Sequence, residues 1–281
     1  MTIRIVTDST CDLPPEVVRE HRITIAPILI HVGTQDLRDG IDFTREEFYA
    51  QLPSLKPPPT TATPGQDFFR RMYEQLAAEG ATEVLSIHIS HRLSATVDIA
   101  RQAAKETKAV AVTVFDSRQL SLGTGFAVHS AAQAVENGKP LAAVLSLLEA
   151  QVMRTHVFAA LDTLEYLRRS GRMNGAISAL GEVLQIKPVL KMFNGEPTSE
   201  RVRTRRHAIK RLKELLAERA PYERVAVLHS GVEERARSLL EEVHSDLPTG
   251  EVWLQEINPV LGAHIGPGVL GFACVSAEKQ E

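Results

Sequence analysis

Residues 86–104 read SIHISHRLSATVDIARQAA, and their reading decides the fold. "SIHIS" alternates apolar and polar residues as the end of a strand that starts near Glu83, while "ATVDIARQAAKE" spaces its apolar residues as a helix does. A strand running straight into a helix is half of a β-α-β unit and points to a parallel sheet. Ser94, Ala95 and Thr96 sit at the joint. Free N–H groups at a helix start favour an acceptor or an anion. A serine there is most often a plain cap, its oxygen taking an N–H of the first turn. The same joint lies at a strand's C-terminal end, where open α/β sheets bind ligands, so it also suits a carboxylate or phosphate.

Working outward, "TIRIVTDST" is a strand, and "ITIAPILIHV" is a second strand with Pro27 marking an edge or bulge. "FTREEFYAQL" is a helix with Thr44 as cap and Glu47 three residues on. "KPPPTTATPG" reads as a stiff loop, and "QDFFRRMYEQLAAEG" as an amphipathic helix ending at Gly80. "AVAVTVF" is the next strand, and helices follow at residues 119–137 and 140–154. "VFAALDT" opens a second set of elements. It includes a hairpin turning at Asn194-Gly195, helices in "RRHAIKRLKELLAERA" and "VEERARSLLEEVHS", and strands in "RVAVLHS", "EVWLQEI" and "GVLGFACVS". The expected architecture is α/β in two domains. Residues 1–155 form an N-terminal parallel-sheet domain and residues 156–281 a C-terminal α/β domain, with a soft boundary near 155 and a ligand cleft between them.

The 281 residues, 43% hydrophobic and 24% charged, suit one large or two ordinary globular domains. A net charge of −3 gives no electrostatic case for nucleic acid. Two distant cysteines, Cys11 and Cys274, make neither a disulfide framework nor a zinc spacing and fit a reducing cytoplasm. No basic-apolar leader and no apolar run of membrane-span length stand out, so no stable membrane insertion is expected.

Among residues that could carry chemistry, Thr60, Thr61 and Thr63 lie in the Pro-rich loop, where Pro57, Pro58, Pro59 and Pro64 would hold a hydroxyl at low entropic cost. "GPGVLG" at residues 266–271 matches a dinucleotide fingerprint by letters. It lacks a strand before it and a helix after it, so nucleotide binding is not expected. His264 sits in a short loop among small residues, its ring free for a ligand and its proton available to a carboxylate near neutral pH. Arg172 ends a helix as a basic last turn. His88 and His91 have no carboxylate beside them in sequence, and no metal site is read. Arg201, Arg203, Arg205 and Arg206 crowd a helix start, where positive charge opposes the dipole, which suggests a use in contact with a partner.

Seven ordered stretches then carry a resemblance over nearly the whole chain. They are VTDSTCDLP (6–14), TTATP (60–64), ISHRLSATVDIA (89–100), VFDSRQLSLGTG (114–125), LEYLRRSGRM (164–173), RVRTRRHAI (201–209) and HIGPGVLG (264–271). The chain resembles the DegV family. The resemblance implies two α/β domains around a buried long-chain fatty acid such as palmitate or oleate. It also implies a non-catalytic subunit that presents the carboxylate to an ATP-dependent fatty acid kinase protein, serving phospholipid metabolism. No cofactor is implied. The family's carboxylate-binding threonine and serine correspond to Thr61 and Ser94, its pocket arginine to Arg172 and its pocket histidine to His264. Ala95 stands where the family has glycine and keeps the backbone N–H; Ala62-Thr63 stand where it has Ser-Gln. Arg203, with Arg201, is implied as the kinase contact, and "AISALGEVLQIKPVL" (176–190) is an expected tunnel wall. Two other readings stay open: a serine hydrolase using Ser94, His264 and Asp8 or Asp116, and a lipid carrier without a kinase.

Overall fold

The computed structural model describes residues 2–172, 186–247 and 252–278. In chain order its elements are β1 (Ile3–Asp8), α1 (Pro15–Glu20), β2 (Thr24–Ala26), β3 (Leu29–Val32), β4 (Gln35–Arg38), α2 (Arg45–Gln51), β5 (Thr60–Ala62), α3 (Gln66–Ala78), β6 (Glu83–His88), α4 (Thr96–Glu106), β7 (Ala111–Asp116), α5 (Leu122–Glu136) and α6 (Leu141–Val152). They continue as β8 (Thr155–Ala160), α7 (Glu165–Arg169), β9 (Lys187–Phe193), β10 (Glu196–Val202), α8 (Arg205–Ala217), β11 (Tyr222–His229), α9 (Glu233–Val243), β12 (Trp253–Glu256), α10 (Pro259–Ile265) and β13 (Leu270–Ser276).

The strand-to-helix reading of residues 86–104 holds: β6 feeds α4, and β6 lies between β1 and β7 in a parallel sheet of order β2-β1-β6-β7. Parallel strands need covered faces, and their apolar runs are buried accordingly, with Val84, Leu85 and Ile87 fully enclosed. The second sheet has the order β10-β9-β8-β13-β11-β12 and is antiparallel except for β11 with β12. Asn194-Gly195 turns the β9–β10 hairpin as expected, with φ of 45° and 80°.

Between the two sheets lies α5. Its burial runs all round, from Leu122 through Phe126, Val128 and Ala131, because β1 and β6 cover one side and β8 and β13 the other. Such a helix has no polar face. It must also pack closely: a Cβ on Gly125 would collide with the Cys11 carbonyl, so "GTG" at 123–125 serves packing and no phosphate loop.

Three local readings are corrected. The stretch from Ile23 to Val32 is two strands in different sheets. β2 extends the parallel sheet, Pro27 breaks the run, and β3 begins a small antiparallel sheet of order β4-β3-β5. The Pro-rich stretch contains β5, because the free edge of β3 offers Thr60, Thr61 and Ala62 a ladder. And α10 was expected as loop, although Asn258 caps it through Leu261 N–H at 2.9 Å and Pro259 sits at its first position. The Thr44–Glu47 capping box is present in full at α2.

Buried polar groups tie the halves together. Asp12, fully buried, accepts from Asn258 N–H at 2.9 Å, from the Asn258 side chain at 3.1 Å and from Ser121 at 2.6 Å, and pairs with Arg45 at 3.1 Å. The Tyr49 hydroxyl donates to the Ile257 carbonyl at 2.9 Å.

Candidate functional site

The C-terminal ends of β1, β6 and β7 face β8, β9 and α10 across a cavity of about 360 Å³. That volume falls in the range of small-molecule sites, roughly 300–1,000 Å³. Most of the wall is apolar: Ile28, Ile89, Leu120, Val157, Met192 and Leu261 are among the lining side chains. Polar residues interrupt it, Thr10, Ser121, Lys191 and Thr198 among them. Thr61, Ser94, Ala95, Arg172 and His264, separate in sequence, all line this one cavity, and Thr63 joins them.

Each is positioned by a local cause. β5 pairs Thr61 with buried Ile30 of β3, which fixes the strand and so the hydroxyl. Thr61 Oγ1 and His264 Nε2 are 2.9 Å apart. His264 stands in the last turn of α10, not in a loop, and its Nδ1 is buried without a hydrogen-bond partner among the described residues. Burial, with the Arg172 charge nearby, lowers its pKa to about 4, so the ring is neutral at pH 7. The chain leaves α10 through Gly266 at φ 77°, where a Cβ would strike the Tyr166 ring; glycine lets this corner pack on α7. Arg172 is exposed, three residues beyond the end of α7, and donates to the Ser170 carbonyl at 3.0 Å.

Ser94 is not the cap of α4. Ala95 occupies that position with helical φ and ψ, and Ser94, one residue earlier, accepts from Thr96 N–H at 3.3 Å. Its hydroxyl belongs to a cluster: Ser94 Oγ lies 2.8 Å from Thr96 Oγ1, and Thr63 Oγ1 lies 3.0 Å from Thr96 Oγ1 and 3.4 Å from Ser94 Oγ. Thr96, fully buried, was not anticipated as a site residue. Its place at the first position of α4 was the available signal, since a hydroxyl there turns back toward the strand–helix joint.

Histidines read as lacking carboxylates do have them. His88 Nδ1 is 2.9 Å from Asp8 Oδ2, and His91 Nδ1 is 2.5 Å from Asp116 Oδ2. Parallel pairing of β6 with β1 and β7 brings these sequence-distant ends side by side. Burial would raise the Asp8 pKa, but His88, Thr10 and Ile89 N–H hold it below the usual carboxylate value. His88 Nε2 in turn meets Ser86 Oγ at 2.7 Å. So Asp8 and Asp116, the acids of a conceivable triad, are engaged away from His264. Ser94 meets hydroxyls, and no imidazole is hydrogen-bonded to it among the described residues. The site offers donors and a neutral ring to an anion, backed by an apolar tunnel.

Two further expectations concern the rim. Residues 173–185, and with them most of the tunnel wall expected at 176–190, lie outside the described residues; Leu190 does line the cavity. The basic run is partly offset: Arg205 pairs with Asp162 at 2.7 Å and Lys210 approaches Glu214 at 3.6 Å, while Arg201 and Arg203 are exposed.

Comparison with known proteins bears on the fold and the family. A DegV domain-containing protein of Streptomyces coelicolor is 35% identical over 280 residues, 98% of each chain. A structure reported as the fatty acid binding of a DegV family protein from Thermus thermophilus superposes with a TM-score of 0.90 at 35% identity, covering 99% of this chain and 100% of that one. DegV of Bacillus subtilis, reported as a fatty acid binding protein, superposes with a TM-score of 0.90 at 31% identity over 98% of this chain and 99% of its own. The model of the family described as "Uncharacterised protein, DegV family" matches residues 2–277, and the chain belongs to that family.

Proposed function

We propose that the protein binds one long-chain fatty acid such as palmitate or oleate, carboxylate toward Thr61 and Ser94 and acyl chain in the tunnel. The observation that carries this reading is one largely apolar cavity lined also by the Thr61–His264 pair and the hydroxyls of Ser94 and Thr63. Ser94 and Thr61 donate to the carboxylate, the Ala95 N–H gives a third bond, and His264 joins them. Arg172 supplies positive potential at the rim. Each bond to a charged group contributes roughly 1.5–3 kcal/mol. A sixteen-carbon tail contributes about 12 kcal/mol gross at about 0.8 kcal/mol per buried methylene, part of it offset by ordering the chain. The tail therefore sets affinity and the polar end sets direction.

Binding without turnover fits better than hydrolysis, because the hydroxyl of Ser94 meets hydroxyls and the nearby acids are held by His88 and His91. In this reading the protein is a cytoplasmic subunit without catalysis of its own. It hands the carboxylate to an ATP-dependent fatty acid kinase protein for acyl-phosphate formation, with exposed Arg203 and Arg201 at the contact. The test is native mass spectrometry of gently purified protein with extraction of its lipid. The expected result is one fatty acid per chain; protein that carries none and takes up neither palmitate nor oleate refutes the reading. For the partner, Arg203→Ala should leave lipid occupancy unchanged and slow acyl-phosphate formation with the kinase, more so at low salt. Loss of lipid in that variant, or unchanged turnover across a salt series, refutes the contact.

A further inference from the structure

A second cavity, of about 400 Å³, lies where the parallel sheet ends at β2, an edge strand of three residues. It shares no lining residue with the first. One wall is a stripe of α3: Phe68, Arg71, Met72, Gln75 and Glu79 recur at helical spacing and so share a face. The opposite wall is Arg4 of β1 and Thr24 of β2. Parallel pairing sets Thr24 beside Val6, and strand alternation puts Arg4 on the same sheet face as Val6, which packs with Phe69 and Tyr73 of α3. Both side chains therefore turn toward α3.

Donors in this cavity outnumber their acceptors. Arg4 Nη1 donates to Glu79 at 3.3 Å, but Arg4 Nε is buried without a hydrogen-bond partner among the described residues. With Nη2 it forms the guanidinium edge that grips a carboxylate through two parallel N–H bonds. Arg71 has no ion pair among the described residues: the acids nearest it along α3, Asp67 and Glu74, both pair with Arg70, at 3.2 and 2.9 Å. Thr24 brings a hydroxyl. Glu79, the one acid among the described lining residues, is engaged by Arg4 and by Gln75 Nε2 at 3.0 Å. Two guanidinium groups and one engaged carboxylate leave a positive excess. The rest of the lining is apolar: Leu76 is buried, and Phe68 and Met72 are half-buried.

We propose that this cavity is a binding site in its own right, for a small aromatic carboxylate: the charged group on Arg4 and Arg71, the ring on Phe68 and Met72. A buried N–H without an acceptor costs free energy, and the carboxylate supplies the acceptor. The volume lies in the small-molecule range, roughly 300–1,000 Å³. The proposal does not depend on what the first cavity binds.

The test is a titration with naphthoate, followed by methyl NMR of the chain labelled at methionine and assigned through Met72→Leu and Met192→Leu. Met72 lines this cavity and Met192 the first, so the two signals report the two sites separately. The expected result is a saturable shift of Met72, with naphthylmethanol, the uncharged analogue, binding at least about tenfold more weakly. Arg71→Met keeps an aliphatic stem on an exposed position and drops the charge. It should weaken naphthoate by about tenfold, the loss of a bond to a charged group, and leave naphthylmethanol unchanged. Inorganic phosphate, which has no ring to lay on Phe68, should bind far more weakly than naphthoate. A Met72 signal that stays still, whether or not Met192 shifts, overturns the proposal. Equal binding of acid and alcohol, phosphate as tight as naphthoate, or unchanged naphthoate affinity in Arg71→Met overturns it as well.

Discussion

Replacing Ser94 with alanine separates charge recognition from tail burial. The Ser94 hydroxyl has Thr96 Oγ1 at 2.8 Å, Thr63 Oγ1 at 3.4 Å and Thr96 N–H at 3.3 Å, all neutral partners. With a carboxylate present it donates to a charged acceptor while Thr96 and Thr63 supply its incoming bond. Losing a bond to a charged group costs about 1.5–3 kcal/mol, or about 10- to 150-fold in the dissociation constant. A fatty alcohol of the same length makes only a neutral bond there, about 0.5–1.5 kcal/mol, so it should weaken by no more than about tenfold. The acid-to-alcohol preference should therefore fall by about five- to tenfold. Stability falls too, by about 1 kcal/mol, because an N–H of the first turn loses its acceptor. In a chain of this size that lowers the melting temperature by about 2–4 °C or less. The assay is competitive displacement of a fluorescent fatty acid by palmitate and by hexadecanol, beside a thermal melt. Equal losses for acid and alcohol, or no loss for the acid, refute the carboxylate role of Ser94.

Other outcomes follow from the same geometry. Thr96→Val keeps the shape but removes the hydroxyl that orients Ser94, and should weaken acid binding by about three- to tenfold with a smaller change in melting temperature; unchanged acid affinity refutes a role for the cluster. Binding a carboxylate beside His264, whose burial lowers its pKa to about 4, should raise that pKa and draw in a proton. Calorimetry in buffers of different ionisation enthalpy should show this uptake, and His264→Gln should abolish it. Asp39, buried and hydrogen-bonded to Ser9, has a pKa raised by burial to about 7 against an ordinary 3.8. The folded chain thus keeps a proton that the unfolded chain releases, so this contribution is present below pH 4 and is lost as pH rises through 7, by up to ~4 kcal/mol. Asp39→Asn should accordingly gain stability relative to wild type between pH 5 and pH 8 in denaturant melts, and a flat difference refutes the assignment.

Whether an element was legible in the sequence followed from how local its causes are. The Thr44–Glu47 box, the Asn194-Gly195 turn and the β6-to-α4 step are each set within a few residues, and each appears as read. The split of residues 23–32 into β2 and β3 was hidden, because alternation looks the same whether one sheet or two receive it; only Pro27 hinted at the break. β5 was hidden because its cause is the free edge of β3, about thirty residues away. α10 is seven residues long and carries Gly262, too short and too interrupted for periodicity, although Asn258-Pro259 announced its start. The same rule governs the site. Ser94 and His264 stood out by local chemistry, while the Asp8–His88 pair depends on parallel register between strands about eighty residues apart.

In the proposed reading, that pairing pattern also accounts for how the cavity would hold an anion without becoming an active site. Four acids lie near the strand ends that build its floor, and each is occupied by a partner from another element: Asp8 by His88, Asp12 by Arg45 and Asn258, Asp39 by Ser9, and Asp116 by His91. A free carboxylate among them would repel the ligand's charge, and a free acid beside His264 would raise its pKa and complete a base. Engaging all four leaves the Thr61, Ser94 and Thr63 hydroxyls and a neutral imidazole facing the cavity. The same bonds cross between the sheets: Asp12 to Asn258 joins β1's end to α10, as Tyr49 joins α2 to the Ile257 carbonyl. A tunnel must keep its walls apart, so its lining cannot supply the cohesion a filled core would. Buried polar ties around the rim take that place, and they are directional, which holds the walls at a set spacing.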